Sequence, residues 1–291
     1  MIVLTEGIIR VAVIGAGQMG TGIAQVVAVA GYETVLMDVD CPRVEEALAQ
    51  IGYHLARAVE KGKMEASFRE EILSRISRGT TLREIAKGTD FVIEAIIEDL
   101  ELKRSVFKEL DEACPPGVIL ATNTSGLSIT AISAPARSPE RVIGTHFFYP
   151  APVMRLVEVI CGAATSDSVY ERTMRFVESL GKVPVRAPDT PGFLVNRLIT
   201  PLINEAAFLV MEGADPRDVD RAAKLGLNFP MGPLELADFV GLDVQNKTME
   251  GLYAGFCDSK YKPCPLVKSM VEAGRLGRKS GQGFYEHTEN R

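Results

Sequence analysis

Between Arg10 and Glu33 no residue carries a charge, and the run is long enough to cross a bilayer. Glycines (Gly15, Gly17, Gly20, Gly22, Gly31) and glutamines (Gln18, Gln25) interrupt it, which makes it a poor lipid-spanning helix. Glu6 and Arg10 also spoil the order of basic start, apolar core and small-residue cleavage site that a signal peptide needs. The run reads instead as a strand over residues 8–14, the loop Gly15-Ala16-Gly17-Gln18-Met19-Gly20 and a helix to about residue 30. A second strand over 34–37 then ends at Asp38. Strand, G-x-G-x-x-G loop, helix, strand and acid, in that order, form the fingerprint of a dinucleotide-binding turn. Gly15 permits the tight turn, Gly17 lets backbone approach a pyrophosphate, and Gly20 lets helix and strand pack closely. The N–H groups at the helix start, Gln18 and Met19 among them, face the phosphates with a partial positive charge. Asp38 accepts hydrogen bonds from ribose hydroxyls and repels a 2′-phosphate, so the expected cofactor is NAD rather than NADP.

The rest of the first half repeats this alternation. Apolar, valine- and isoleucine-rich clusters at 91–93, 118–121 and 142–144 have strand length and suit parallel strands covered on both faces. Helical stretches fall at 43–61 and 100–113 between them, implying βαβ units with right-handed crossovers. Strands at 157–160 and 183–185, flanking a helix at 166–180, extend the same sheet. Past residue 185 the strands stop. Arg186-Ala-Pro-Asp-Thr-Pro-Gly192 reads as a linker, and 193–211, 216–225, 233–239 and 266–273 show helical spacing broken by Gly and Pro. The fold class is therefore α/β: a Rossmann-type, doubly wound, mostly parallel sheet over 1–186, followed by a smaller all-α C-terminal domain over 187–291.

Composition narrows the partners. The chain has 291 residues, 46% of them hydrophobic, and a net charge of −6, so no global basic field draws it to nucleic acid or to an anionic membrane. Its 5 cysteines are odd in number and contain no C-x-x-C pair, which fits neither a disulfide framework nor a zinc knuckle. A reduced, cytoplasmic setting is expected, and no metal.

Of the 3 histidines, His287 lies in a polar tail and reads as solvated, and His54 sits in a charge-rich helix. His146 ends an apolar strand, where open α/β sheets border their ligand crevice. Glu158 lies inside the apolar run 156–160, an odd place for a carboxylate without a partner. A loop at 150–152 lets the two meet, and the carboxylate would fix the tautomer of the imidazole and raise its basicity. Asn123-Thr124-Ser125 follows another strand end and sets small hydroxyls and an amide at the same rim.

Taken together, these residues resemble the L-3-hydroxyacyl-CoA dehydrogenases, especially the short bacterial members that act on 3-hydroxybutyryl-CoA. The likeness runs from about residue 8 to 285 through several separate motifs. They are the glycine loop, Glu94-Ala-Ile-Ile-Glu98, Asn123-Thr-Ser125, His146-Phe-Phe, Pro191-Gly-Phe-Leu-Val-Asn-Arg197, Pro230-Met-Gly-Pro233 with Asp238 and Gly241-Leu-Asp243, and Gly281-Gln-Gly-Phe-Tyr285. The resemblance implies interconversion of a 3-hydroxyacyl-CoA and a 3-ketoacyl-CoA by hydride exchange with NAD, in a cleft closed by the helical domain, and a homodimer formed through that domain. It implies that His146 is the general base, with Glu158 its orienting partner. Ser125 and Asn196 would hydrogen-bond the reacting oxygen of the substrate. Glu98, Lys103 and Ser125 would lie on the nicotinamide side, Lys279 near the cofactor, and Lys61 at the CoA phosphates; the alternative for each lysine is an ordinary solvated side chain, and for Lys61 the two readings stand level. Two positions depart from the family pattern. Tyr149 replaces the asparagine of His-Phe-Phe-Asn-Pro, which bears on a cofactor contact or on substrate preference, and His54 stands where better-known members have a serine associated with CoA. A dehydrogenase of a non-CoA 3-hydroxy acid, of the sugar-acid or carnitine type, is the nearest alternative.

Overall fold

The computed structural model describes residues 4–287, in two compact units that divide between Asp189 and Thr190. Among the described residues the first unit carries every strand: β1 (Arg10–Ile14), β2 (Glu33–Met37), β3 (Ile76–Arg78), β4 (Phe91–Glu94), β5 (Ile119–Thr122), β6 (Val142–Phe147), β7 (Leu156–Cys161) and β8 (Val183–Ala187). Its helices are α1 (Gln18–Val29), α2 (Cys41–Glu60), α3 (Ala66–Ser74), α4 (Leu82–Ile85), α5 (Leu100–Ala113), α6 (Ile129–Ser133) and α7 (Asp167–Ser179). The second unit is helical: α8 (Val195–Met211), α9 (Pro216–Gly226), α10 (Pro233–Val240), α11 (Leu242–Phe256) and α12 (Pro265–Glu272).

The strands form one sheet in the order β3-β2-β1-β4-β5-β6-β7-β8. All neighbours are parallel except β6 and β7, which run antiparallel. The α/β class with a doubly wound, mostly parallel sheet is thus the observed one. Strand order reverses between β1 and β4, the place where such sheets open a crevice at their C-terminal edge. The apolar clusters fill the core: Val11, Val13, Phe91, Ile93, Ile119 and Ile143 are all fully buried. Burial of this kind contributes roughly 1.5–3 kcal/mol per large side chain and accounts for the continuous apolar reading of the strands.

Several boundaries shift for visible reasons. The first strand begins at Arg10 rather than 8, because the backbone N–H groups of Ile9 and Arg10 both donate to the carboxylate of Asp90. β3 is absent from the sequence reading; its residues Ile76-Ser77-Arg78 are short, polar and half-exposed, as an edge strand is. β8 extends to Ala187, into the stretch read as linker. Asp189 then anchors the chain, accepting from the N–H groups of Ile129 and Thr130 and the hydroxyls of Ser128 and Thr130.

In the second unit prolines start helices, at 216 and 233 as the sequence ranges have it. Pro216, Pro233 and Pro265 occupy the first turns of α9, α10 and α12, where a missing N–H costs nothing. α11 escapes the sequence reading because Gly251 and Gly255 dilute its pattern; Leu242, Gln245, Met249 and Leu252 nevertheless recur on one buried face. Gly255 is needed there, since a Cβ would lie 2.4 Å from the ring of Pro191. The unit's own core joins Ile203, Ala207, Ala237, Leu242, Val267 and Met270.

Candidate active site

The glycine loop separates into glycines the chain itself requires and one it does not. Gly15 has φ 102°, and a Cβ there would lie 2.5 Å from the carbonyl oxygen of Ala95. A Cβ on Gly20 would sit 1.7 Å from the carbonyl oxygen of Gly15. Both glycines let β1, α1 and the end of β4 close upon one another. Gly17 has an ordinary φ of −72°, and no protein atom lies within 4 Å of the place its Cβ would take. It stands at the start of α1, which has no side-chain cap and no acidic residue in its first turn. An uncapped helix N-terminus behind open space is a cradle for an anion. Next to it is a cavity of about 360 Å³ walled by Ile14, Met37, Asp38, Val39, Ile96 and Leu102. Asp38 clamps the loop, one oxygen accepting from the N–H of Ala16 at 2.8 Å and the other from that of Asp40 at 3.0 Å. A carboxylate offers about four acceptor positions, so capacity remains for ribose hydroxyls. These residues fit a dinucleotide.

At the ends of β4 and β5 lies a buried ionic cluster whose centre the sequence did not mark. Glu94, fully buried, accepts from the N–H of Ile96 (2.7 Å), the hydroxyl of Thr122 (2.7 Å) and the ammonium of Lys103 (2.6 Å). Lys103 is no solvated lysine: it is 1% exposed and also stands 3.4 Å from Glu98. Glu98 in turn accepts from the hydroxyl of Thr124 (2.5 Å), the N–H of Ser125 (2.9 Å) and the hydroxyl of Ser125 (3.2 Å). Lys103 therefore holds two carboxylates, and the outer one holds the Ser125 loop. Buried polar groups at this density rigidify what they touch. Asn123 adds a tie to the next strand, accepting from the N–H of Phe147 at 2.9 Å.

His146 and Glu158 meet as expected. They are direct partners in the antiparallel register of β6 and β7, and the ring Nδ1 lies 2.7 Å from Glu158 Oε2. Glu158 is fully buried and His146 6% exposed. A carboxylate accepts and does not donate, so the proton of a neutral ring sits on Nδ1 and Nε2 keeps its lone pair. The ring of Phe148 packs against the imidazole with centroids 4.4 Å apart. Strand pairing, not a flexible loop, thus orients the imidazole.

The remaining residues are dispersed. Asn196 falls in the first turn of α8, in the second unit. Lys61 terminates α2 and is exposed, and His54 lies exposed on the same helix. Lys279, in the second unit, pairs with Asp243 at 2.5 Å. Burial opposes ionisation of Asp243, but the hydrogen bond from Lys279 and backbone N–H groups outweigh it and hold the carboxyl below its ordinary range. Tyr149 is 55% exposed. The reading of His287 as solvated is corrected. Its Nε2 lies 2.8 Å from Asp238, a fully buried carboxylate that also accepts from the N–H groups of Phe284 and Tyr285. The partner is 49 positions away, beyond the reach of local pattern.

A doubly wound sheet with an open glycine cradle, an acid closing the second strand and a carboxylate-held histidine at a strand end defines an NAD-binding dehydrogenase. Comparison with known proteins narrows this class. The family model for the NAD-binding domain of 3-hydroxyacyl-CoA dehydrogenase matches residues 10–190, and that for its C-terminal domain matches 192–287. This chain belongs to the 3-hydroxyacyl-CoA dehydrogenase family. A Bacillus subtilis protein named "Probable 3-hydroxybutyryl-CoA dehydrogenase" is 50% identical over 281 residues, covering 96% of this chain and 98% of that protein. The 3-hydroxybutyryl-CoA dehydrogenase of Bradyrhizobium diazoefficiens is 47% identical over 279 residues, 96% of this chain and 95% of its own. The crystal structure of (S)-3-hydroxybutyryl-CoA dehydrogenase from Ralstonia eutropha superimposes with a TM-score of 0.94 at 43% identity, over 97% of this chain and all of that one.

Proposed function

We propose that this NAD-dependent 3-hydroxyacyl-CoA dehydrogenase works on the four-carbon thioester, interconverting 3-hydroxybutyryl-CoA and acetoacetyl-CoA. Relatives of that name at 47–50% identity support the chain length. The observation that carries the chemistry is the buried His146–Glu158 pair at 2.7 Å.

The residues present fit NAD: the backbone at Gly17, Gln18 and Met19 would hold its pyrophosphate, Asp38 its ribose, and Glu98 would face its reactive end. When bound, NAD accepts or supplies the hydride exchanged with the carbon bearing the oxygen. His146 takes the hydroxyl proton on Nε2 in oxidation, and the imidazolium so formed is stabilised by Glu158 across Nδ1. In reduction the same nitrogen returns the proton to the oxygen. Ser125, held by Glu98, and Asn196 hydrogen-bond that oxygen, and Lys61 meets the CoA phosphates. Lys103 positions Glu98 from beneath.

The helical unit serves association. Leu198, Leu225, Leu227, Phe239, Val240 and Val244 are exposed apolar side chains on it, which supports a homodimer formed there. Free cysteines throughout support a reduced, cytoplasmic location. Among the described residues no helix is long and apolar enough to cross a membrane.

The test is oxidation of NADH with acetoacetyl-CoA, run beside NADPH, a longer ketoacyl-CoA and free acetoacetate. Turnover of acetoacetyl-CoA with NADH well above all three is expected. Activity on the free acid with none on the thioester would overturn the assignment.

A further inference from the structure

Ser125 lies in the connection from β5 to α6, residues 123–128, which has no repeating backbone structure. Ser125 and Gly126 are exposed, and a stretch of this kind left to itself samples many conformations. Two carboxylates from distant parts of the chain prevent that. At its start Glu98 accepts from the hydroxyl of Thr124 and from the N–H and hydroxyl of Ser125. The Thr124 oxygen in turn accepts from the N–H groups of Gly126 (3.3 Å) and Leu127 (2.9 Å). At its end Asp189 accepts from the hydroxyl of Ser128 (3.0 Å), the N–H groups of Ile129 (2.8 Å) and Thr130 (2.9 Å) and the hydroxyl of Thr130 (2.6 Å). Every residue from Thr124 to Thr130 thus donates to a side-chain oxygen.

Capping a short helix does not account for Asp189. α6 has its own N-cap in Ser128, whose hydroxyl oxygen accepts from the N–H of Ala131 at 3.2 Å. Asp189 instead gathers four donors from 59 to 61 positions away, across β6, β7, α7 and β8. Thr130 carries the tie on to the end of β7, its hydroxyl oxygen accepting from the N–H of Ala163 at 2.8 Å. Two glycines clear the seat: a Cβ on Gly144 would come 2.7 Å from the side chain of Ile129, and one on Gly162 3.1 Å from the nitrogen of Thr130. Hydrogen bonds to an ionised acceptor are the strong kind, and a small misplacement of a group that serves the reacting atoms is costly in rate. We propose that Asp189 is a positioning residue for Ser125: with Glu98 at one end and Asp189 at the other, the loop holds the serine hydroxyl in the single place from which it serves the reacting oxygen. The proposal rests on the role given to Ser125 above.

Asp189→Asn keeps the size of the side chain but turns one acceptor into a donor, which opposes the N–H groups of Ile129 and Thr130. In the full-length enzyme with acetoacetyl-CoA and NADH it lowers kcat by about 3- to 10-fold, the effect of one hydrogen bond, and leaves both KM values within about twofold. Ser125→Ala lowers kcat at least as far, and Asp189→Asn added to it lowers kcat by no more than about 1.5-fold further, because the group being positioned is gone. Thr130→Val gives a smaller loss with the same dependence on Ser125, and Thr130→Ser restores the parent rate; this pair decides the matter if Asp189→Asn does not fold. Equal losses with and without Ser125, or no loss in the parent, overturn the positioning role and leave the reading of Ser125 in place. A Ser125→Ala enzyme as active as the parent overturns that reading and the proposal with it.

Discussion

Gly17→Ala separates the two reasons a glycine can stand in this loop. The backbone there has φ −72° and ψ −175°, which alanine adopts without strain, and no protein atom lies within 4 Å of the new methyl group. Alanine is a poorer N-cap than glycine, a loss of roughly 0.5–1 kcal/mol, while restricting the unfolded chain returns about 0.4–1 kcal/mol. The two nearly cancel. Calorimetry should therefore place Tm within about 4 °C of the parent. Cofactor affinity is another matter, because the methyl fills the space in front of an uncapped helix N-terminus. Losing one charge-assisted hydrogen bond to a phosphate costs about 1.5–3 kcal/mol, or roughly 10- to 100-fold in the Kd for NADH by fluorescence titration. Gly20→Ala is the contrasting control: with its Cβ 1.7 Å from the carbonyl oxygen of Gly15, it should lose the fold as well as the affinity. If Gly17→Ala bound NADH within about threefold of the parent, the open space would not be the cofactor's.

Other substitutions probe the remaining parts. His146→Ala should lower kcat by at least ~10²-fold, measured at saturating NADH and thioester; a few-fold change would remove it as the base. Glu158→Gln keeps the shape of the pair and should lower kcat less while displacing the pH–rate profile, whereas an unchanged profile would leave Glu158 a purely structural role. Lys103→Met strands the buried Glu94 carboxylate and should destabilise the protein by about 3–5 kcal/mol, with Glu94→Gln added to it restoring part of the loss; an unchanged Tm would dissolve the cluster's structural role. Burial raises the Cys114 thiol to about 11, so near pH 8 it stays protonated. Alkylation of the native enzyme should mark the exposed Cys41 and Cys257 first and reach Cys114 only after denaturation, which mass mapping would show.

The strands of the sheet were readable because parallel strands covered on both faces need unbroken apolar runs, and residues 91–93 or 118–121 have no other plausible use. His146 and Glu158 were readable for a related reason: a carboxylate inside such a run demands a partner. The misses share the opposite property. Glu94 ends its strand as an ordinary acid would, and its partners Thr122 and Lys103 are brought to it only by the sheet and by α5. Lys103 and His287 resemble solvated residues in sequence because what buries them arrives from elsewhere in the chain. Ile76-Ser77-Arg78 pairs as an edge strand through backbone alone, and backbone pairing leaves little trace in side-chain pattern.

The antiparallel pairing of β6 with β7 has a consequence for how this enzyme can change. His146 and Glu158 are only 12 positions apart, and the ladder between their strands sets their alignment, so the imidazole–carboxylate pair is a local property of one hairpin. The segment joining the strands supplies Tyr149 and residues 150–153 to a cavity wall yet takes no part in that ladder. Its length and side chains are therefore open to variation while the pair stays aligned. One short connection can thus reshape that wall without disturbing the alignment of the pair.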